Sequence, residues 1–191
     1  MPAPRWLHES NVCRRDVRER RSLGPILSPN AIDLISHNVA QTRRFGYRLG
    51  SLLQPGDIIC LEGDLGTGKT CFVQGIGQAL GVQGVITSPT FTLIGEYREV
   101  HQTLPLFHID VYRLQDVVEI ESLGLWEYLY GDGVCAIEWA DHIRHYLPEE
   151  VMWISLRHYI EDENRRGLIL EARGERYESL LREFKRSAFG V

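Results

Sequence analysis

The sequence predicts an α/β domain, compact, with a mixed and mainly parallel sheet flanked by helices. Three observations predict it. A short apolar run, Ile58-Ile59-Cys60-Leu61, passes directly into a glycine-rich loop that opens a helical pattern. Several further apolar runs of strand length follow, separated by turn residues. Late in the chain two of these runs lie close enough to pair antiparallel across a charged hairpin.

Taken in order, Ser28-Pro29-Asn30 reads as a helix start signal. Ile32, Ile35, Val39, Phe45, Leu49, Leu52 and Leu53 then recur at helical spacing, which predicts a helix over 31–53. Pro55-Gly56-Asp57 stops it and turns the chain into a buried strand over 58–61. The glycine-rich loop follows, and a helix over 69–80 ends at Gly81. Strands are expected over 91–97 and 104–111, and a helix over 115–130 interrupted by Gly124. Gly131-Asp132-Gly133 is a turn before a strand over 134–138. Two more strands, 151–156 and 168–172, flank a charged stretch over 161–166 that reads as a hairpin loop, and a last helix runs over 175–187.

At 191 residues this is one domain's worth of chain, large enough to bury its own core without a disulfide or metal staple. Hydrophobic content of 43% and charged content of 25% are ordinary for a globular protein. No apolar stretch approaches the ~20 residues of a membrane helix, so a soluble, cytoplasmic protein is expected. The net charge of −5 argues against a body built mainly to neutralise nucleic-acid phosphates. The first 27 residues differ from the rest, with six arginines (Arg5, Arg14, Arg15, Arg18, Arg20, Arg21) against Glu9, Asp16 and Glu19. That segment reads as a solvated, poorly ordered tail without the apolar core of a secretory signal, and the domain proper as 28–191. Cys13, Cys60, Cys71 and Cys135 form no pair at metal-binding or redox spacing, which fits free thiols in a reducing compartment. His101, His142, His145 and His158 show no evident partners in the sequence.

Gly63-Asp64-Leu65-Gly66-Thr67-Gly68-Lys69-Thr70 matches the P-loop pattern GxxxxGK[ST] in full, and it sits between an expected strand and an expected helix. The glycines let successive N–H groups turn inward as an anion nest, and the helix start aims its positive end at the same point. Lys69 is then expected to bridge the β- and γ-phosphates of ATP or GTP, and the Thr70 hydroxyl to meet Mg²⁺. Lysine is otherwise almost absent: Lys69 and Lys185 stand against nineteen arginines. The one site where a compact point charge suits the chemistry keeps its lysine. A P-loop also needs an acid at the end of a neighbouring strand. Leu106-Phe107-His108-Ile109-Asp110 and Val134-Cys135-Ala136-Ile137-Glu138 each offer one, and pattern alone leaves open which does what. Ser88-Pro89-Thr90-Phe91 places hydroxyls on a rigid turn, where a switch-like loop would put them.

Four segments in this order, the loop from Gly63 to Thr70, Thr87-Ser88-Pro89-Thr90-Phe91-Thr92-Leu93, His108-Ile109-Asp110-Val111-Tyr112-Arg113-Leu114 and Ile137-Glu138-Trp139, resemble the TsaE family. TsaE is the small ATPase component of bacterial tRNA threonylcarbamoyladenosine biosynthesis. The resemblance runs from about residue 28 to residue 156. It implies a compact P-loop domain that hydrolyses ATP with Mg²⁺, slowly alone, coupled to partners of the TsaD and TsaB families that act on tRNA. It implies that Gly63, Asp64, Leu65, Gly66, Thr67, Gly68, Lys69, Thr70 and Cys71 wrap the phosphates, and that Thr70 and Glu138 meet the metal. Asp110 would be needed for turnover, with Lys69 and Glu138 beside it as catalytic groups. Thr90 would lie in the switch-like loop, and Thr42 would approach the base or ribose. Trp139 stands next to the acid, where it would meet nucleotide or partner or pack in the core. Cys71 departs from the second hydroxyl residue that the family often carries there, a side chain the chemistry does not require. Two other classes share the loop: a small-molecule kinase, and a nucleotide-gated scaffold with little hydrolysis.

Overall fold

The computed structural model describes residues 29–98, 102–114, 119, 123–160 and 162–190. The arginine-rich segment 1–27 therefore lies outside the described residues, as does most of 115–122. Seven strands form one sheet: β1 (Ala31–Ser36), β2 (Ile58–Glu62), β3 (Ile94–Tyr97), β4 (Leu106–Asp110), β5 (Val134–Glu138), β6 (Val151–Tyr159) and β7 (Asp162–Arg173). Their spatial order is β1-β7-β6-β2-β5-β4-β3. The middle four, β6-β2-β5-β4, pair in parallel, and the flanking contacts β3–β4, β6–β7 and β1–β7 are antiparallel. The expected mixed α/β sheet is present, with its parallel part at the centre.

The helices are α1 (Val39–Gly50), α2 (Lys69–Leu80), the short α3 (Leu125–Leu129) and α4 (Glu175–Phe189), joined by a 3₁₀ segment, Ala140–Tyr146. Strand alternation divides the core between the two faces. From β2, Ile59 and Leu61 join Phe72, Ile76, Leu180 and Phe184 beneath α1, α2 and α4. Ile58 and Cys60 join Phe107, Ile109, Leu125 and Ile143 on the opposite side. No helix of the described residues is long and apolar enough to cross a membrane.

Two expectations need correction. Residues 31–53 are not one helix: 31–36 form edge strand β1, with Ile32, Leu34 and Ser36 buried in alternation and paired to β7. The helix begins only after Asn38, whose Oδ1 accepts from Gln41 N at 2.9 Å while His37 N donates to Gln41 Oε1 at 2.9 Å. These reciprocal bonds resemble a capping box. The helix expected over 115–130 with a break at Gly124 is described after the break as Leu125–Leu129, Gly124 taking φ +67°, while most of its first half lies outside the described residues. The charged stretch 161–166 is not a loop from Asp162 onward, because β7 begins there and pairs with β6 as far out as Tyr159↔Asp162, across an irregularity after His158↔Arg166. Glu163, Asn164 and Arg165 are exposed on this ribbon, so no apolar alternation betrays the strand.

Helices α1 and α2 meet through glycine. A Cβ at Gly46 would fall 2.1 Å from Phe72 O, and one at Gly75 would fall 2.0 Å from Arg43 O. This backbone-level contact fixes the helix that carries Lys69 and Thr70 at its first turn. The turn over 55–57 is tied down as well: buried Asp57 accepts from Arg176 of α4 at 2.6 Å.

Candidate functional site

The site is built where β2, β5 and β4 end together. The parallel register sets Leu61 beside Glu138 and Glu138 beside Asp110, so the loop after β2 and both acids share one edge of the sheet. Ligands of open α/β sheets bind at that carboxyl edge. Gly63 leaves β2 with φ +132°, and a Cβ there would lie 2.1 Å from Leu156 O of β6, so only glycine passes. Gly68 takes φ +101° as the N-cap of α2. The first-turn N–H groups of α2 thus open towards the loop, with the helix dipole aligned for an anion. Thr67 donates to Asp64 O at 2.8 Å and closes the turn from within.

Lys69 is 4% exposed, and its Nζ donates to the carbonyls of Gly63 (2.5 Å) and Asp64 (3.0 Å). The ammonium lies 3.7 Å from the centroid of the Trp139 ring. Burial lowers the Lys69 pKa, and the carboxylates of Glu138, Asp110, Asp141 and Asp64 oppose that shift. Trp139 reaches this position because its backbone is left-handed, φ +62°, a conformation that costs a bulky residue ~1 kcal/mol or more. Tyr112 and His142 pack around the indole, with ring centroids 4.7 and 5.6 Å away. Trp139 is therefore neither a simple core residue nor a free surface one.

The two acids have separate donor sets. Glu138 Oε1 accepts from Thr70 Oγ1 at 2.8 Å and lies 2.7 Å from His108 Nε2. Asp110 Oδ2 accepts from Ser88 Oγ and, at 2.7 Å, from Thr90 Oγ1, while Oδ1 takes the Tyr112 N–H at 3.0 Å. Both acids are buried, at 2% and 3% exposure. Hydroxyls, carboxylates, an ammonium and a row of N–H groups thus converge at one edge of the sheet. Such a set suits a polyphosphate together with a hard cation, which prefers oxygen ligands. Among the described residues no cluster of three or more His, Cys, Asp or Glu side chains forms a metal site, so a cation here would draw its remaining oxygens from ligand and water.

The other expected residues fall close by. Asp64, Leu65 and Gly66 are exposed at the loop tip. Thr42 is buried under the loop, its methyl 3.7 Å from where a Gly68 Cβ would be, and its hydroxyl is 2.8 Å from Ser36 Oγ. Cys71 is half-buried on α2. Sequence reading missed three participants. His108 stands in an apolar run and opens the segment ending at Leu114, and neither pattern points to a contact with Glu138. His158 and Arg166, on the β6–β7 ribbon, reach the outer side of the loop: His158 Nε2 is 3.0 Å from Leu65 O, and Arg166 donates to Gly66 O at 3.3 Å. In the sequence alone His158 shows no evident partner and Arg166 falls in the charged hairpin stretch.

A glycine-rich turn between a central parallel strand and a helix, facing two strand-end acids, defines a P-loop α/β protein. Comparison with known proteins narrows this. The family model described as "Threonylcarbamoyl adenosine biosynthesis protein TsaE" matches residues 36–167. The chain is 44% identical over 149 residues to the tRNA threonylcarbamoyladenosine biosynthesis protein TsaE of Bacillus subtilis (strain 168), across 78% of this chain and 90% of that one. It is 45% identical over 131 residues to the protein of the same name from Treponema pallidum (strain Nichols), across 69% and 94%. The crystal structure of Bacillus subtilis YdiB superposes with a TM-score of 0.70 at 36% identity, covering 82% of this chain and 95% of that chain. The chain belongs to the TsaE family.

Proposed function

We propose that this protein hydrolyses ATP to ADP and phosphate, and that hydrolysis drives or resets partner proteins of the TsaD and TsaB families. Those partners carry out threonylcarbamoylation of adenosine-37 in tRNAs that read codons beginning with A. The setting is the cytoplasm, and contact with tRNA is made through the partners, since the chain is acidic overall. The observation that carries the reading is the 2.8 Å contact of Thr70 with Glu138 directly after a complete phosphate-binding loop. It joins the hydroxyl and the strand-end acid expected at a magnesium-dependent nucleotide site.

In this reading the N–H groups of 63–71 and the Lys69 ammonium hold the phosphates and stabilise charge as the terminal phosphoryl moves. Lys69 must exchange its bonds to the Gly63 and Asp64 carbonyls for phosphate oxygens. Thr70 and Glu138 hold Mg²⁺, which supplies electrostatic stabilisation of the phosphate oxygens. Because Glu138 is tied to Thr70, Asp110 is the acid left to orient the attacking water, with Ser88 and Thr90 fixing its carboxylate. Water oxygen bonds to the γ-phosphorus, the bond to the β–γ bridging oxygen breaks, and ADP departs with that oxygen.

The test is multiple-turnover threonylcarbamoyladenosine formation on tRNA in a reconstituted system, with partners constant and this chain, its Lys69→Ala variant, or nothing added. Modification continuing past one round only with the intact chain is the expected result. Equal yields in all three arms overturn the tRNA role, and phosphate appearing on an added small acceptor would mark a kinase instead.

A further inference from the structure

We infer that His108 is a positioning residue that aims the Glu138 carboxylate at Thr70, and so sets how much magnesium contributes to nucleotide binding. The inference rests on the proposed reading of Thr70 and Glu138 as the cation-holding pair and names the group that orients the acid.

The geometry begins with strand register. On β4, His108 lies directly opposite Ala136 of β5, and Asp110 lies directly opposite Glu138. Residues two apart on a strand share a face, so His108, Asp110, Ala136 and Glu138 all look towards α2. A methyl at Ala136 leaves the diagonal open, and a long side chain can cross it. The imidazole does so: its Nε2 reaches Glu138 Oε1 at 2.7 Å. A carboxylate oxygen accepts hydrogen bonds, and the imidazole tautomer with its proton on Nε2 supplies one to it. Without that donor, Glu138 would face Asp110 across the strands with Thr70 alone to draw it aside.

The ring is fully buried, and among the described residues its Nδ1 has no hydrogen-bond partner. A buried ring nitrogen left unpaired is unfavourable, so packing alone would prefer an apolar residue between Leu106 and Asp110. The one bond that the imidazole does make runs to the acid of the site. Groups that orient a metal-binding side chain in this way change metal affinity by about 10–100-fold when removed.

The experiment measures ADP affinity of the full chain by calorimetry, once in excess magnesium and once in EDTA, alongside thermal unfolding. His108→Leu removes the donor and keeps the bulk. His108→Gln keeps an amide N–H near the position of Nε2, and His108→Asn has the same polarity but falls short of Glu138. His108→Leu and His108→Asn are expected to lose about 10–100-fold in magnesium-supported affinity with the EDTA value unchanged, and His108→Gln to recover most of it. Gln and Asn variants that behave alike, or losses equal in magnesium and EDTA, would overturn the positioning role, including in the case where His108→Leu fails to fold. If the wild-type chain itself binds no better with magnesium than with EDTA, the cation reading falls and this inference falls with it.

Discussion

Replacing Gly75 with alanine sets two effects of opposite sign against each other. Gly75 lies inside α2, where intrinsic propensity favours alanine by about 1 kcal/mol. A Cβ at that position would lie 2.0 Å from Arg43 O and 2.7 Å from Tyr47 N, both backbone atoms of α1. Carbon–oxygen contacts settle near ~3.3 Å, so the two helices must part by roughly 1 Å. Neither backbone atom can rotate away. A gap of that size forfeits a quarter to a half of the dispersion well for the facing side chains, here Phe45, Leu49, Phe72 and Ile76. Overpacking a close contact costs about 1–3 kcal/mol, and a backbone-on-backbone clash belongs at the upper end. Net destabilisation is therefore about 2 kcal/mol, which in a chain of this length lowers Tm by about 4–8 °C. Circular dichroism melts of wild type, Gly75→Ala and Gly84→Ala test it. Gly84 has no atom within 4 Å of its would-be Cβ, so its variant should stay within about 0.5 kcal/mol of wild type. A Gly75→Ala protein as stable as wild type, or more so, would show that propensity wins and would refute the tight α1–α2 contact. Because Lys69 and Thr70 ride on the same helix, phosphate affinity should fall with stability.

Asp110→Asn should bind ATP normally and turn it over about 100-fold more slowly or worse, as loss of a water-orienting acid does; unchanged phosphate release would assign that role elsewhere. Arg166→Ala should weaken ADP binding about twofold to fivefold by freeing the Gly66 carbonyl, while Arg165→Ala, measured by the same calorimetry, should not. Iodoacetamide should label Cys71 in the native protein and spare Cys60 and Cys135, read by peptide mass spectrometry. Burial pushes both of those thiols up, that of Cys135 to about 12, and nucleotide should slow the Cys71 reaction. Stability should fall as pH rises above about 9, because the folded state keeps the Cys60, Cys135 and Tyr177 protons that the unfolded chain releases. The lowered Lys69 and Lys185 act in the opposite sense and offset part of this loss; urea midpoints that rise between pH 8 and 10 would contradict it.

What the sequence displayed well was whatever it carried as contiguous pattern. The loop from Gly63 to Thr70 announces both its turn and its ligand chemistry, and Asp110 and Glu138 each end an apolar run that could only be a buried strand. Strand β1 was hidden because Ile32, Ile35 and Val39 fall at helical spacing by coincidence. The same segment also alternates, and Asn38 was the cap that should have decided between the two. His108 looked like one more member of a buried run, since its role depends on register with Ala136, which no single strand reveals. The contacts of His158 and Arg166 span 93 and 100 positions of sequence, and the ribbon that makes them is solvated on its charged outer portion.

That ribbon has a mechanical consequence for the loop. A nest that turns its N–H groups inward to an anion must turn carbonyls outward, and outward carbonyls need partners if the loop is to hold its shape before a ligand arrives. β6 runs parallel to β2 and sets Leu156 O hard against Gly63, fixing where the loop leaves the sheet. Beyond Leu156 the same ribbon places His158 at the Leu65 carbonyl and Arg166 at the Gly66 carbonyl. The antiparallel hairpin added to the parallel core thus works as an external brace on the phosphate cradle. Preorganisation of this kind favours binding because ordering is completed during folding rather than at capture. The loop's inner face then stays free for phosphate, with Lys69 the one group there that must change partners.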